Sequence, residues 1–177
     1  MNAADARIRL TTTADVPLLP AIELAAAESF RAAPGLAWIA DSGEHKPESR
    51  HELHVRDGTA WVAEVEGRPV GFLAAQVVGD ELHVWELAVH PACQGRGLGR
   101  RLIEAAVGEA RARELTAVTL STFTDVPWNA PFYQRLGFVR VTALAGEPRL
   151  AGILASEVEQ GLPGERRCAM RLTVRSD

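Results

Sequence analysis

Cysteine is nearly absent from the 177 residues: Cys93 and Cys168 are the only two, too few for a disulfide framework. A reduced compartment is the default for such a chain. No apolar run approaches the ~18 residues of a membrane span, so no membrane partner is expected. Residues 1–5 have no signal-peptide character, and the expected location is cytoplasmic. Excess positive charge is also lacking. Nineteen Lys and Arg against 23 Asp and Glu leave a net charge of -4, which argues against general nucleic-acid binding. There is no repeat, no low-complexity segment and no second composition regime, so residues 1–177 are expected to form a single domain. What remains is ordinary for a globular protein, 47% apolar and 24% charged.

The informative stretch is residues 86–101. An apolar, β-prone run, Glu86-Leu87-Ala88-Val89, stops at the His90-Pro91 turn and enters a bend containing Gly95, Gly97 and Gly99. Leu98, Leu102, Ile103, Ala106, Val107 and Ala110 then repeat at helical spacing. The pattern predicts strand, loop, helix. Glycines at alternate positions permit positive φ and remove Cβ atoms, so successive N–H groups can face one anion. The helix that follows adds its unpaired N–H groups and the positive end of its dipole. A phosphate or pyrophosphate is the ligand to expect. Neither the Walker spacing G-x-x-x-x-G-K-[ST] nor the dinucleotide spacing G-x-G-x-x-G is present.

Around this stretch the chain alternates between short periods. Residues 7–11 read as a strand, and a helix runs toward Phe30 with Val16, Leu19, Ile22 and Ala26 on one face. Pro20 should kink that helix or delay its start. Residues 60–65, 70–78 and 81–89 are three β-prone runs joined by turn chemistry at Glu66-Gly67 and Gly79-Asp80, an antiparallel meander. Residues 117–123 form the strand after the loop's helix, most simply parallel to the strand before it. A loop, a short helix and a Gly stop follow in residues 125–138, then a strand at 138–141, a short helix near 152–160 and a terminal strand at 167–174. Residues 36–47 are the least legible.

Gln94-x-x-Gly97-x-Gly99 and the later Tyr133-Gln134-Arg135-Leu136-Gly137-Phe138 together resemble the motifs of the GNAT (GCN5-related N-acetyltransferase) family. The resemblance implies an α/β (α+β) fold, a mixed central sheet of about seven strands with an antiparallel N-terminal meander, flanked by about four helices. It also implies an acyltransferase that uses acetyl-coenzyme A as co-substrate and acetylates an amine, with no metal. On the strand, Leu87 would donate its N–H to the thioester carbonyl, with Ala88 and Val89 along the pantetheine arm. On the loop, Gln94, Gly95, Arg96 and Gly97 would hold the pyrophosphate, joined by Leu98, Gly99 and Arg100 where the helix begins. Asn129 would contact the pantetheine, although its Asn-Ala-Pro sequence departs from the commoner N-x-x-A spacing.

Acetyl transfer to an amine needs a proton acceptor for the ammonium, oxyanion donors and an acid for the departing thiolate. Tyr133, the only tyrosine, stands where the family places that acid, and its phenol keeps its proton at neutral pH. His83 matches the base role by its intrinsic pKa. Glu86 is the rival, although strand alternation sends it to the face opposite 83, 85, 87 and 89. His45, His51 and His54 share a polar segment with no cysteine nearby, so surface positions rather than a metal site are expected. Trp38, Trp61, Trp85 and Trp128 are scattered, in keeping with core or pocket wall. A small-molecule amine is the preferred acceptor, since no recognition domain is appended. The alternatives are a protein N-terminus or lysine, or an acyl-coenzyme A sensor without turnover. Family analogy allows a homodimer through the terminal strands.

Overall fold

The computed structural model describes residues 6–174. Seven strands, β1 (Arg7–Leu10), β2 (Ala60–Val65), β3 (Arg68–Val78), β4 (Glu81–Val89), β5 (Ala117–Phe123), β6 (Val139–Arg140) and β7 (Arg167–Thr173), form one mixed sheet in the order β1-β2-β3-β4-β5-β7-β6. The helices are α1 (Leu19–Ala27), α2 (Ala37–Asp41), α3 (Glu48–Arg56), α4 (Leu98–Ala112), α5 (Ala130–Arg135) and α6 (Pro148–Glu159). That is more than the four or so expected. The least legible stretch yields α2, a single turn with no side-chain cap, too short to be specified by its own periodicity. The chain divides into two compact units, one made of Trp85–Glu109 with the residues up to Val77, the other of Val78–Val84 with those from Ala110 on.

In the first unit β1 pairs antiparallel with β2, from Arg7↔Glu64 to Leu10↔Trp61, and β2 with β3. The turn uses two residues at positive φ, Glu66 and Gly67, the geometry that matches the twist of a tight hairpin. The register then slips between Ala63↔Gly71 and Glu64↔Pro69. This bulge accommodates Pro69, which has no N–H to give to a regular ladder. A 3₁₀ turn at Val16–Leu18 precedes α1, and Pro20 falls in the helix's first turn. The helix therefore starts late, as proline chemistry requires. Leu19 and Ile22 of α1 pack with Val62, Phe72, Ala74 and Ala88, and Ala26 lies against them. Burying each of the two larger aliphatic side chains contributes on the order of 2 kcal/mol. Because Ala88 belongs to this cluster, α1 covers the face of β4 that carries Ala88 and, by strand alternation, Glu86.

In the second unit the start of β4 pairs parallel with β5, from Glu81↔Ala117 to Val84↔Leu120, as the strand-helix-strand pattern predicts. β5 pairs antiparallel with β7, and β7 with β6. Helix α6 starts at Pro148, earlier than the residue 152 expected, because proline suits the first helical position. Its Glu157 accepts hydrogen bonds from Ser121 and Arg167, which fixes the helix to β5 and β7. Glu81 lies between Arg149 and Arg171, and Arg171 pairs in turn with Glu147.

Candidate active site

The loop after β4 is built to hold its shape. His90 Nδ1 accepts the Ala92 N–H at 3.3 Å, and Pro91–Cys93 forms one 3₁₀ turn. The Gln94 amide donates to the Val89 carbonyl at 2.9 Å and to Ser29 Oγ at 3.4 Å, so its side chain ties the loop back to the strand end. Gly95 and Gly97 stand at φ 72° and 76°, and a Cβ on either would meet no protein atom within 4 Å. The space beside them is open. Gly99 differs from its neighbours: it lies inside the first turn of α4, which begins at Leu98, and its part is helical. Leu98 is buried, Arg96 half-buried, and Arg100 is exposed and paired with Glu104 at 2.7 Å. The first N–H groups of a helix have no partner within it, so this end of a 15-residue helix faces the open side of the loop with positive potential. The arrangement fits a pyrophosphate.

Strand β4 leads into that loop with Glu86 and Leu87 half-buried, Ala88 buried and Val89 half-buried. Glu86 shares its face with Ala88, the face under α1. Burial pushes its carboxyl up to about 8, with the negative charge of Glu23 adding to the effect and Lys46 opposing it. Glu23, on α1, is itself raised by burial. Its Oε2 accepts the backbone N–H of Lys46 at 3.0 Å and lies 3.9 Å from Nε2 of His51. His51 and His54 are buried, 2% and 3% exposed, which corrects the surface positions expected for them. Their i, i+3 spacing on α3 turns both inward. Burial, helped by the charges of His54, His45 and Lys46, lowers the His51 pKa to about 4, so its ring is neutral near pH 7.

The second unit carries His83, Asn129 and Tyr133. His83 is fully buried, and its Nδ1 is 3.0 Å from the Thr119 hydroxyl, which also accepts from Arg149 at 3.1 Å. Burial first, and then the charge of Arg149, lowers its pKa to about 3. Such an imidazole has little affinity for a proton near pH 7. Tyr133 on α5 is 8% exposed, its ring edge-on to Phe132 and Phe138 at 5.1 and 5.7 Å. One turn earlier, Asn129 Oδ1 accepts from the Thr122 hydroxyl at 2.7 Å, while its buried Nδ2 finds no hydrogen-bond partner among the described residues.

The acetyltransferase (GNAT) family model matches residues 22–138, a span that holds the loop, Glu86 and Tyr133. The chain belongs to the GNAT family. Its sequence is 32% identical over 104 residues to the L-2,4-diaminobutyric acid acetyltransferase of Nocardia farcinica, covering 56% of this chain and 54% of that protein. It is 34% identical over 77 residues to the ribosomal protein bS18-alanine N-acetyltransferase of Salmonella typhimurium, covering 44% and 52%. The chain thus spans about half the length of these curated relatives. Among solved structures, the ribosomal-protein-S18-alanine N-acetyltransferase of Escherichia coli superposes with a TM-score of 0.67 at 21% identity, over 97% of this chain and 96% of that one. The PaiA N-acetyltransferase of Thermoplasma acidophilum, solved in complex with coenzyme A, gives 0.68 at 12% identity, over 95% and 98%. These two likenesses bear out the expected fold.

In this GNAT chain the glycine loop and the strand carrying Glu86 and Leu87 lie where the sequence predicts them, whereas the approach of Glu23 and His51 has no sequence signal. The amphipathic pattern of α1 marks the residues on either side of Glu23 without signalling what the carboxylate meets. Among the described residues no group of three or more His, Cys, Asp or Glu is arranged to hold a metal. None of the described helices is long and apolar enough to cross a membrane.

Proposed function

We propose that this GNAT protein moves the acetyl group of acetyl-coenzyme A directly to a primary amine of a small-molecule acceptor, with no covalent enzyme intermediate. The observation that carries the proposal is the succession along one strand and its loop: a half-buried carboxyl at Glu86 raised to about 8, Leu87 beside it, and Gly95 and Gly97 at positive φ before α4. Acetyl-coenzyme A, the co-substrate, supplies the thioester. The loop N–H groups and the α4 terminus meet the pyrophosphate charge, and Gln94 holds the loop in shape before the ligand arrives.

In the transfer the amine nitrogen bonds to the acetyl carbon, the carbon–sulfur bond breaks, and two protons move. The acceptor ammonium gives one proton to Glu86, and the second proton that the nitrogen sheds as the amide forms replaces the one that Tyr133 gives to the departing thiolate. A free alkyl ammonium has a pKa of about 10.4, so a base near 8 is far better matched to it than an ordinary carboxylate or a histidine held near 3. Glu86 is therefore preferred over His83, whose bond to Thr119 gives it a role in packing β4 on β5. The Leu87 N–H donates to the carbonyl oxygen as it gains negative charge. Tyr133 is assigned on the match of its segment to the family motif, and Asn129, with its Nδ2 donor still to be satisfied, on the same ground for a pantetheine carbonyl.

The test is release of coenzyme A thiol with a panel of small amines. Wild type should turn over at least one of them, and Tyr133→Phe should slow turnover by about 10²-fold with acetyl-coenzyme A affinity nearly unchanged. Turnover confined to protein N-termini or lysines, or binding without thiol release, would replace the reading.

A further inference from the structure

We propose that Glu23 selects the acceptor: backed by His51, it holds a second nitrogen of a diamine, which stays cationic while the first nitrogen reacts at Glu86. This rests on the transferase reading above and names its substrate class.

The His51 ring has an unmet hydrogen-bonding requirement. His51 is 2% exposed, and neither of its ring nitrogens has a hydrogen-bond partner among the described residues. The ring is fixed edge-on against Phe72, with centroids 5.3 Å apart. Its Nε2 is directed at Glu23 from 3.9 Å, too far for a hydrogen bond. Buried polar atoms are normally satisfied, and one that is not calls for a water or ligand to complete it.

The carboxylate in front of it has the complementary need. The Glu23 side chain is 13% exposed; it accepts the Lys46 N–H and faces the neutral His51 ring across 3.9 Å. Glu86 adds a second half-buried carboxyl whose proton is held partly because Glu23 is negative. The charged groups acting on Glu23 from the neighbouring segment are Lys46 and His45, both exposed. The corner thus presents two carboxyl groups and a neutral imidazole without a buried cation, and an ammonium fits it. Its three N–H donors suit the oxygens of Glu23 and a ring nitrogen of His51.

Two carboxyl groups exceed what one amine needs. The reacting nitrogen must lose its charge before it attacks, and Glu86 receives that proton. Burial alone raises the Glu23 carboxyl, and a second ammonium seated against it opposes that shift and keeps the carboxylate paired while the first nitrogen reacts. The acceptor therefore carries two amines.

The test compares initial rates for α,ω-diamines of three to five carbons with the monoamines of the same chain length, at saturating acetyl-coenzyme A. For the best diamine, wild type should show kcat/KM roughly tenfold or more above its monoamine, the order expected of one charge-assisted contact. Glu23→Gln, which keeps an oxygen for the Lys46 N–H, should remove most of that preference by raising KM for the diamine rather than by lowering kcat. Its melting temperature and acetyl-coenzyme A affinity report whether it is folded. Were it not, the wild-type ratio decides alone, and a ratio near one overturns the proposal.

Calorimetric titration of the same diamines into the protein with coenzyme A reads the selection without turnover. Binding that depends on Glu23, with no thiol release from any amine, would keep this assignment and overturn the transferase reading. Turnover with the same diamine preference in wild type and variant would do the reverse.

Discussion

A Cβ on Gly71 would come within 2.9 Å of the Ala88 carbonyl oxygen and 3.1 Å of the Val89 side chain. The beginning of β3 thus presses on the end of β4 where the strand carries Glu86 and Leu87 toward the loop. The His90 N–H, bonded to the Val70 carbonyl at 2.8 Å, closes the same contact. The obstacle is backbone, which cannot swing aside as a flexible side chain would. Gly71→Ala should therefore destabilise the protein by about 1–3 kcal/mol, read as a lowered denaturant midpoint. It should also slow acetyl transfer, because it displaces β4. A variant with wild-type stability would show that the two strands yield more easily than this packing implies.

Asp15 anchors the turn before α1. It takes two hydrogen bonds from Arg9, at 2.7 and 2.9 Å, and two more from the Thr12 N–H and hydroxyl, both at 2.8 Å. The Arg9 guanidinium is the largest influence holding its carboxyl down at about 2. A folded-state pKa below the unfolded value contributes stability above pH ~4 that is lost as pH falls toward 2. Asp15→Asn should cost about 1–3 kcal/mol at pH 7, and the deficit relative to wild type should shrink on acidification across that window. Denaturant melts at pH 7 and pH 3 check both statements.

Glu86 acts in the opposite sense. Its folded-state pKa of about 8 lies above the ordinary carboxylate value, so the native state holds more protons than the unfolded chain between pH ~4.5 and 8. Its contribution to stability is complete below that window and is lost as pH rises through it. Glu86→Gln should flatten this part of the stability profile. As the proposed base the same group works deprotonated, so kcat/KM should climb with pH up to about 8, and the variant should lose about 10²–10⁴-fold in rate together with that limb. A variant that keeps the limb would move the base elsewhere.

Much of this could be read from the chain because the signals were local. β-Prone composition between turn formers set the bounds of β2, β4 and β5 to the residue, and the glycine loop announced itself by spacing. The ranking of proton acceptors was not legible. His83 has the better intrinsic pKa, but its burial against Thr119 and near Arg149 lowers it, while burial beside Glu23 raises Glu86; both shifts arise from residues distant in sequence. For the same reason Glu23 and His51 gave no sign. Their meeting depends on α1 and α3 packing on one sheet face, which no periodicity of a single helix records. The helix α2 was hidden by its length.

Calorimetric titration of acetyl-coenzyme A into wild type and Gly97→Asp asks whether the loop from Gln94 to Gly99 holds that ligand. Gly97 sits at φ 76° with open space where a side chain would project, so the variant places a carboxylate in the path of the pyrophosphate. Binding to wild type, weakened by roughly 10²-fold or more in a variant that still melts cooperatively, is the predicted result, about 3 kcal/mol of lost affinity. Failure of wild type to bind, or equal binding by a folded variant, would contradict it.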